Sequence, residues 1–350
     1  MTNNNKVGTV DVARSLTMRV YKRLAIALAI ASTLGAATLS HAATTIKVAN
    51  FFPDTHPNSI ALKETFAKEV ESRSHGELKV RVFSNGVLGA EEKLYNSVRG
   101  GTVQMAILGT IMDKEVKNVG IIQLPFLFKD YSHAQSALNS DVGGELVSDM
   151  SAKTGLHFLA YGVQGFRVVA SNKSITSMDD FKGLRLRFPG MESMIAIGNA
   201  LGANVTPLPI SEVFSALEQK VVDGVENPYP NIVASKWYEI VKHVTETNHV
   251  FTPNLYLMND GFWNSLTDEQ KAIVQQAAKD ASEQEWKLLV ASEAKDKEKL
   301  QQEGVTITVP DAGFRAALVA AEQGAYSKFY EGNPDARAIV EKINAMGATQ

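Results

Sequence analysis

The chain has 350 residues and no cysteine. That excludes disulfide staples, thiolate metal sites and thiol nucleophiles, so stability has to come from a buried core. Enzyme signatures are also missing. The sequence contains no G-x-S-x-G elbow, no H-E-x-x-H, no G-x-x-x-x-G-K-S/T loop and no G-x-G-x-x-G fingerprint. The histidines after residue 42 (His56, His75, His133, His157, His243 and His249) are scattered, and none pairs with another at i, i+4. No metal site and no cofactor are expected. An excess of positive charge is lacking as well. Residues 1–42 hold five Lys/Arg and one acid; taking them from totals of 35 and 38 leaves 30 basic against 37 acidic side chains. A chain with that balance is not built for nucleic acid.

One apolar run is present, but it is short. "MRVYKRLAIALAIASTLGAATLSHA" (Met18–Ala42) has a basic start, apolar residues from Leu24 to about Ala37, and small residues at Ser40 and Ala42. This is the layout of a secretory signal peptide, and the run falls short of the roughly 20 apolar residues a membrane span needs. The polar stretch Met1–Thr17 precedes the basic region, so Met18 is the expected start, and cleavage is expected after Ala42. The remaining chain is expected in the periplasm.

After the leader the pattern alternates between strand and helix periods. "TTIKVANFF", "LKVRVF" and "VQMAIL" read as strands, separated by helical stretches around Ile60–Val70 and Ala90–Val98. This is the signature of a mainly parallel, helix-covered sheet. "LPFLF" (Leu124–Phe128) reads as a buried hinge or loop anchor, and "LHFLAYGVQGFRVVAS" as two strands joined around Gly162 and Gly165. A second α/β unit begins near Gly165, with Ser177 as an N-cap and the strand "LRLRF" after Gly183. Thr267 and Gln270 form a capping box. They open a stretch of roughly 35 residues without Gly or Pro, in which Ile273, Val274, Ala277, Ala278, Ala281, Trp286, Leu289 and Val290 line an apolar stripe. A helix of that length reaches across two lobes. A last helix over 311–330 is expected to be followed by a polar tail.

In "GLRLRFPG" (Gly183–Gly190), Leu184, Leu186 and Phe188 share one face of a strand and Arg185 and Arg187 the other. Ligands of open α/β sheets bind beyond the carboxyl ends of the strands, and Arg187 stands nearer that end. On this stretch alone, solvation of both arginines remains open.

Six stretches keep their order and approximate spacing: "GVLGAEEKL", "GGTVQMA", "LPFLF", "GFR" (Gly165–Arg167), "KGLRLRFP" and "SEVFSALEQKVVDGVENP". From about Ile46 to at least Leu266 the chain resembles the periplasmic solute-binding subunits of tripartite ATP-independent periplasmic (TRAP) transporters. The resemblance implies an α/β fold, a two-lobed periplasmic binding protein clamshell with a long helix packed across both lobes. It implies lobe 1 over 43–164 plus about 253–292, lobe 2 over 165–252 plus about 293–320, and a C-terminal helix and tail over 321–350. It also implies a carboxylate-bearing solute, held by Arg187 in a two-pronged salt bridge with help from Arg167 and Asn227. Arg185, where the family often has lysine, is read as solvated. Gln164, Glu91 and Asn50, near strand ends or helix starts, are candidates for solute hydroxyls, with capping or solvation the competing reading.

The sequence departs from the family at Val87, where glutamine is common, and at Gly109-Thr110, where some members that bind large sugar acids have an acid. A smaller acid is therefore expected: a hexuronate, an aldonate or a C4-dicarboxylate. The implied partner is an integral-membrane permease, the implied state a monomer, and no enzymatic activity is expected. A ligand sensor for a receptor kinase and, more remotely, a periplasmic lyase are the competing functions.

Overall fold

The computed structural model describes residues 43–348, so the expected leader and its cleavage after Ala42 lie outside the described residues. From Thr44 onward they form one unit built on two sheets. The strands are β1 (Thr44–Ala49), β2 (Leu78–Phe83), β3 (Met105–Leu108), β4 (Leu156–Phe166), β5 (Val168–Ser171), β6 (Arg185–Phe188), β7 (Asn204–Pro207), β8 (Gly224–Asn227), β9 (His243–Thr245), β10 (Phe251–Asn259) and β11 (Thr306–Thr308). The first sheet has the order β2-β1-β3-β10-β4 and the second β11-β9-β5-β8-β6-β7. In the first, β1 pairs in parallel with β2 and β3, whereas β10 returns antiparallel between β3 and β4. In the second, β8, β6 and β7 are parallel neighbours.

Helices cover both faces of each sheet, which is why strands such as β3, "MAIL", are apolar and buried throughout. On one face of the first sheet, Ile46, Met105 and Ile107 pack against Leu62, Phe66 and Val70. On the other, Ala106 and Leu108 pack against Leu94 and Val98. The second sheet is covered by Val213, Leu217 and Trp237 on one side and by Phe181, Met194 and Ile197 on the other. Ser177 caps its short 3₁₀ helix through a reciprocal box with Asp180. Among the described residues no helix is long and apolar enough to cross a membrane.

Four segments tie the sheets together. β4 passes into β5 through Arg167, whose N–H donates to the Val250 carbonyl at 2.8 Å on the return path from β9 to β10. The "LPFLF" segment anchors there as expected: Leu124, Leu127 and Phe128 are buried, and the Phe126 N–H donates to the His249 carbonyl at 2.8 Å. The helix Asp268–Gln302 runs 35 residues from its Thr267/Gln270 capping box, a length of about 50 Å. Its Val274, Ala277, Ala278 and Ala281 belong to the first sheet's core and its Leu300 to the second sheet's core. The helix Ala312–Gly332 also spans both, with Phe314 and Leu318 on the second sheet and Tyr326, Phe329 and Tyr330 against the first.

Three expectations are corrected. Val290 is exposed rather than part of the apolar stripe. β4 runs unbroken through Gly162, and the break comes at Arg167. Gly162 serves close approach instead of a turn: a Cβ there would lie 2.2 Å from a Glu285 carboxylate oxygen. The tail is not uniformly polar. Residues Ala336–Ala348 form a helix whose Ala336, Ile339, Val340 and Ile343, at helical spacing, are buried in the first core.

Candidate functional site

The carboxyl ends of β4, β6 and β8 and the turn after β3 converge on a cavity of about 530 Å³ between the two sheets. That size lies within the roughly 300–1,000 Å³ of small-molecule sites. Five of the six sequence-predicted residues line it: Arg187, Arg167, Asn227, Gln164 and Glu91. Asn50 is not among the lining residues. Its Oδ1 accepts from the Phe52 N–H at 2.9 Å and from Ser59 Oγ at 3.3 Å, so it braces the turn after β1.

Arg187 stands one residue from the end of β6 and is 3% exposed. Its Nε and Nη2 both donate to the Leu208 carbonyl, at 2.8 and 2.5 Å. Among the described residues its guanidinium has no carboxylate in salt-bridge contact. Burial pulls its pKa down to about 10, against the opposing pull of Glu226. Arg167 differs. It is equally buried, but its Nε and Nη2 grip the Glu226 carboxylate, the latter at 2.6 Å, Nη2 also reaches the Glu226 carbonyl at 2.9 Å, and Nη1 reaches Thr252 Oγ1 at 3.2 Å. Burial works to raise the Glu226 pKa, but Arg167 and then His249 overcome it and the carboxyl is held below its ordinary value. His249 Nε2 lies 3.7 Å from Glu226, so the pair and the imidazole form a charged knot where the strands cross between sheets.

The first sheet contributes acceptors. Glu91 opens the helix Glu91–Arg99 and accepts from the Gly109 N–H at 2.6 Å. The approach is close: a Cβ at Gly109 would sit 3.0 Å from the carboxylate oxygen. Burial raises the Glu91 pKa, opposed by the Gly109 N–H and by Arg187 and Arg167. Gln164 Nε2 donates to the Pro253 carbonyl at 3.3 Å, and its side-chain oxygen is an acceptor at the same wall. At the mouth the sheets' loops meet: Ser193 Oγ donates to Asp113 at 2.8 Å, and Lys114 pairs with Glu192 at 2.8 Å.

Arg185 does not line the cavity. It is exposed, as expected, but it is also paired: Nε and Nη2 donate to Asp223 at 2.9 and 2.7 Å. Sequence reading missed Glu226, Thr252, Asp113 and Ser193. Glu226 had a signal, because an acid inside the buried run "GVENP" requires a counter-charge.

The family model for bacterial extracellular solute-binding protein, family 7, matches residues 48–333, a span that contains every residue of the cavity. The chain belongs to this family. Its members of known structure include a TRAP periplasmic solute-binding protein from Haemophilus influenzae with bound L-gulonate, 38% identical, with a TM-score of 0.84 over 87% of this chain and 99% of that one. Another is from Desulfovibrio desulfuricans with bound sn-glycerol-3-phosphate, 28% identical, with a TM-score of 0.84 over 87% and 97%. The Escherichia coli 2,3-diketo-L-gulonate-binding periplasmic protein YiaO is 30% identical over 283 residues, 80% of this chain and 86% of its own length. The two-lobed architecture of this TRAP family is the one described above.

Proposed function

We propose that this TRAP solute-binding protein captures a sugar acid, an aldonate or hexuronate, in the periplasm and hands it to its membrane permease. The observation that carries this reading is the buried Arg187, a cation without a carboxylate partner among the described residues, in a cavity whose other buried cation, Arg167, already holds one. A buried charge is costly until it is paired. A solute carboxylate supplies the missing charge, and the planar guanidinium offers it parallel donors. Arg167 assists at the same end through Nη1, the nitrogen that Glu226 does not engage, and Asn227 through an amide, while Glu91 and Gln164 accept from solute hydroxyls. The L-gulonate and diketogulonate named for two relatives support a polyhydroxylated acid.

As moving parts we take residues 43–164 with about 253–292, and 165–252 with about 293–320, the remainder packing as the C-terminal helix and tail. Solute then shifts an open–closed equilibrium between them, and the closed monomer is what the permease recognises. No catalysis is assigned to the site.

A thermal-shift screen of residues 43–350 tests the reading, with aldonates, hexuronates, C4-dicarboxylates, aromatic acids and sn-glycerol-3-phosphate as probes. A sugar acid at 100 times its Kd adds about 2.7 kcal/mol of stability and raises Tm. Hits confined to uncharged sugars, or no hit among the anions, would overturn it.

A further inference from the structure

Among the buried polar atoms without a partner within hydrogen-bond geometry in the described residues are His56 Nε2 and Asn231 Oδ1. Orphans of this kind are rare in folded chains and call for a reason. They come from different parts of the molecule. His56 precedes the helix segment Pro57–Ala61 on the first sheet, and Asn231 lies in the helix Tyr229–Ala234 that follows β8 of the second.

The chemistry of each is fixed by its other atom. His56 is fully buried, stacked on Phe52 with ring centroids 4.3 Å apart, and its Nδ1 accepts from the Asn58 N–H at 3.1 Å. Nδ1 therefore carries a lone pair, and the neutral ring keeps its proton on Nε2. Burial holds the ring neutral, lowering its pKa to about 3, with the Asn231 side chain opposing that shift. An amide oxygen beside an imidazole N–H has that effect. Asn231 in turn donates through Nδ2 to Asn227 Oδ1 at 2.5 Å. Asn227 lines the cavity, and the bond from Asn231 orients its amide, with Oδ1 engaged inside the protein and Nδ2–H left as a donor.

We infer that His56, Asn231 and Asn227 form a one-way hydrogen-bond relay that orients the Asn227 amide so that its donor faces the carboxylate end of the solute. His56 Nε2–H and Asn231 Oδ1 are complementary, one donor and one acceptor, and full closure on a solute brings them into bond. His56 and Asn231 are positioning residues; Asn227 is the group that meets solute. The inference rests on the proposed sugar-acid reading and adds to it a connection between solute recognition and the contact of the two sheets' elements.

Two measurements on residues 43–350 test it. Long-range ¹H–¹⁵N NMR of the solute-free protein should find His56 as the Nε2–H tautomer, and L-gulonate should shift that proton. Calorimetric titration with L-gulonate should show affinity weakened about tenfold by His56→Phe and about tenfold by Asn231→Leu, with the double variant no weaker than either single one. His56→Gln, whose amide nitrogen can stand in for Nε2–H, should recover most of the loss. The Nδ1–H tautomer, additive losses or unchanged affinity in a wild type that binds the acid would each overturn the relay alone. The tautomer readout decides even where a variant fails to fold. A wild type that binds no sugar acid would overturn the underlying reading, and the relay with it.

Discussion

Arg167 and Arg187 face one cavity, are buried to the same degree and carry the same charge, yet the protein treats them differently. Arg167 sits at the crossover between the sheets and is neutralised from within by Glu226. Arg187 stands at the end of a strand and, among the described residues, is met only by the Leu208 carbonyl. The first arginine is part of the frame, and its charge is spent on holding β4, β8 and β10 together. The second is kept available. Burial of a cation becomes a binding device only where the internal counter-charge is withheld.

Removing the available cation should have the largest effect. Two charge-assisted hydrogen bonds contribute about 3–6 kcal/mol together, so Arg187→Ala should weaken sugar-acid binding by about 10² to 10⁴, read by calorimetry, with Tm of the solute-free protein unchanged or raised. Glu226→Ala should do the reverse. It strands Arg167 as a buried unpaired charge, at a cost of about 3 kcal/mol, and shows first as a lowered Tm in the absence of solute. Equal effects of the two substitutions on Tm would erase the distinction between frame and site.

A smaller effect comes from a carboxyl outside the cavity. Glu322, in the second helix that spans both sheets, is buried with both oxygens unpartnered among the described residues, and burial raises its pKa from 4.5 to about 8. The folded state thus keeps a proton that the unfolded chain releases. Stability is undiminished below pH 4.5 and is lost progressively as pH rises to about 8. Glu285, raised to about 7 by burial despite bonds from Tyr256, Asn254 and Asn58, adds a slope of the same sign. Glu322→Gln should flatten the fall of Tm with pH and be more stable than wild type at pH 8; a steeper fall would contradict the assignment. The smallest effect is expected at Arg185→Ala. Arg185 pairs with Asp223 at the exposed start of the strand, where ion pairs contribute little, so both affinity and Tm should barely change.

Much of this was legible in the residues. Position along "LRLRF", with Arg187 nearer the carboxyl end of the strand, separated it from Arg185, and a 35-residue stretch without Gly or Pro announced a helix too long for one lobe. The motif resemblance brought Arg187, Arg167 and Asn227 to a common cleft, position at a strand end or helix start added Gln164 and Glu91, and these five of the six candidates line one cavity. What was hidden depends on contacts distant in sequence. Gly162 reads as a turn residue, and only the approach of Glu285 from the long helix explains it. Asn50 looks like a strand-end ligand, but its side chain is taken by the turn that follows. Residues 336–348 look polar because four apolar side chains at helical spacing are easily lost among charges. Asp113 and Ser193 meet only because the turn after β3 and the start of the helix Glu192–Ala200, which belong to different sheets, close on each other.

The most direct test compares neighbours on one strand: calorimetric titration of L-gulonate, or the acid that the thermal screen selects, into wild type, Arg187→Ala and Arg185→Ala at pH 7. Loss of binding by at least two orders of magnitude at Arg187, with no more than about a twofold change at Arg185, is the predicted result. Comparable losses at both positions, or binding that survives without Arg187, would show that the uncompensated buried cation is not the solute's anchor.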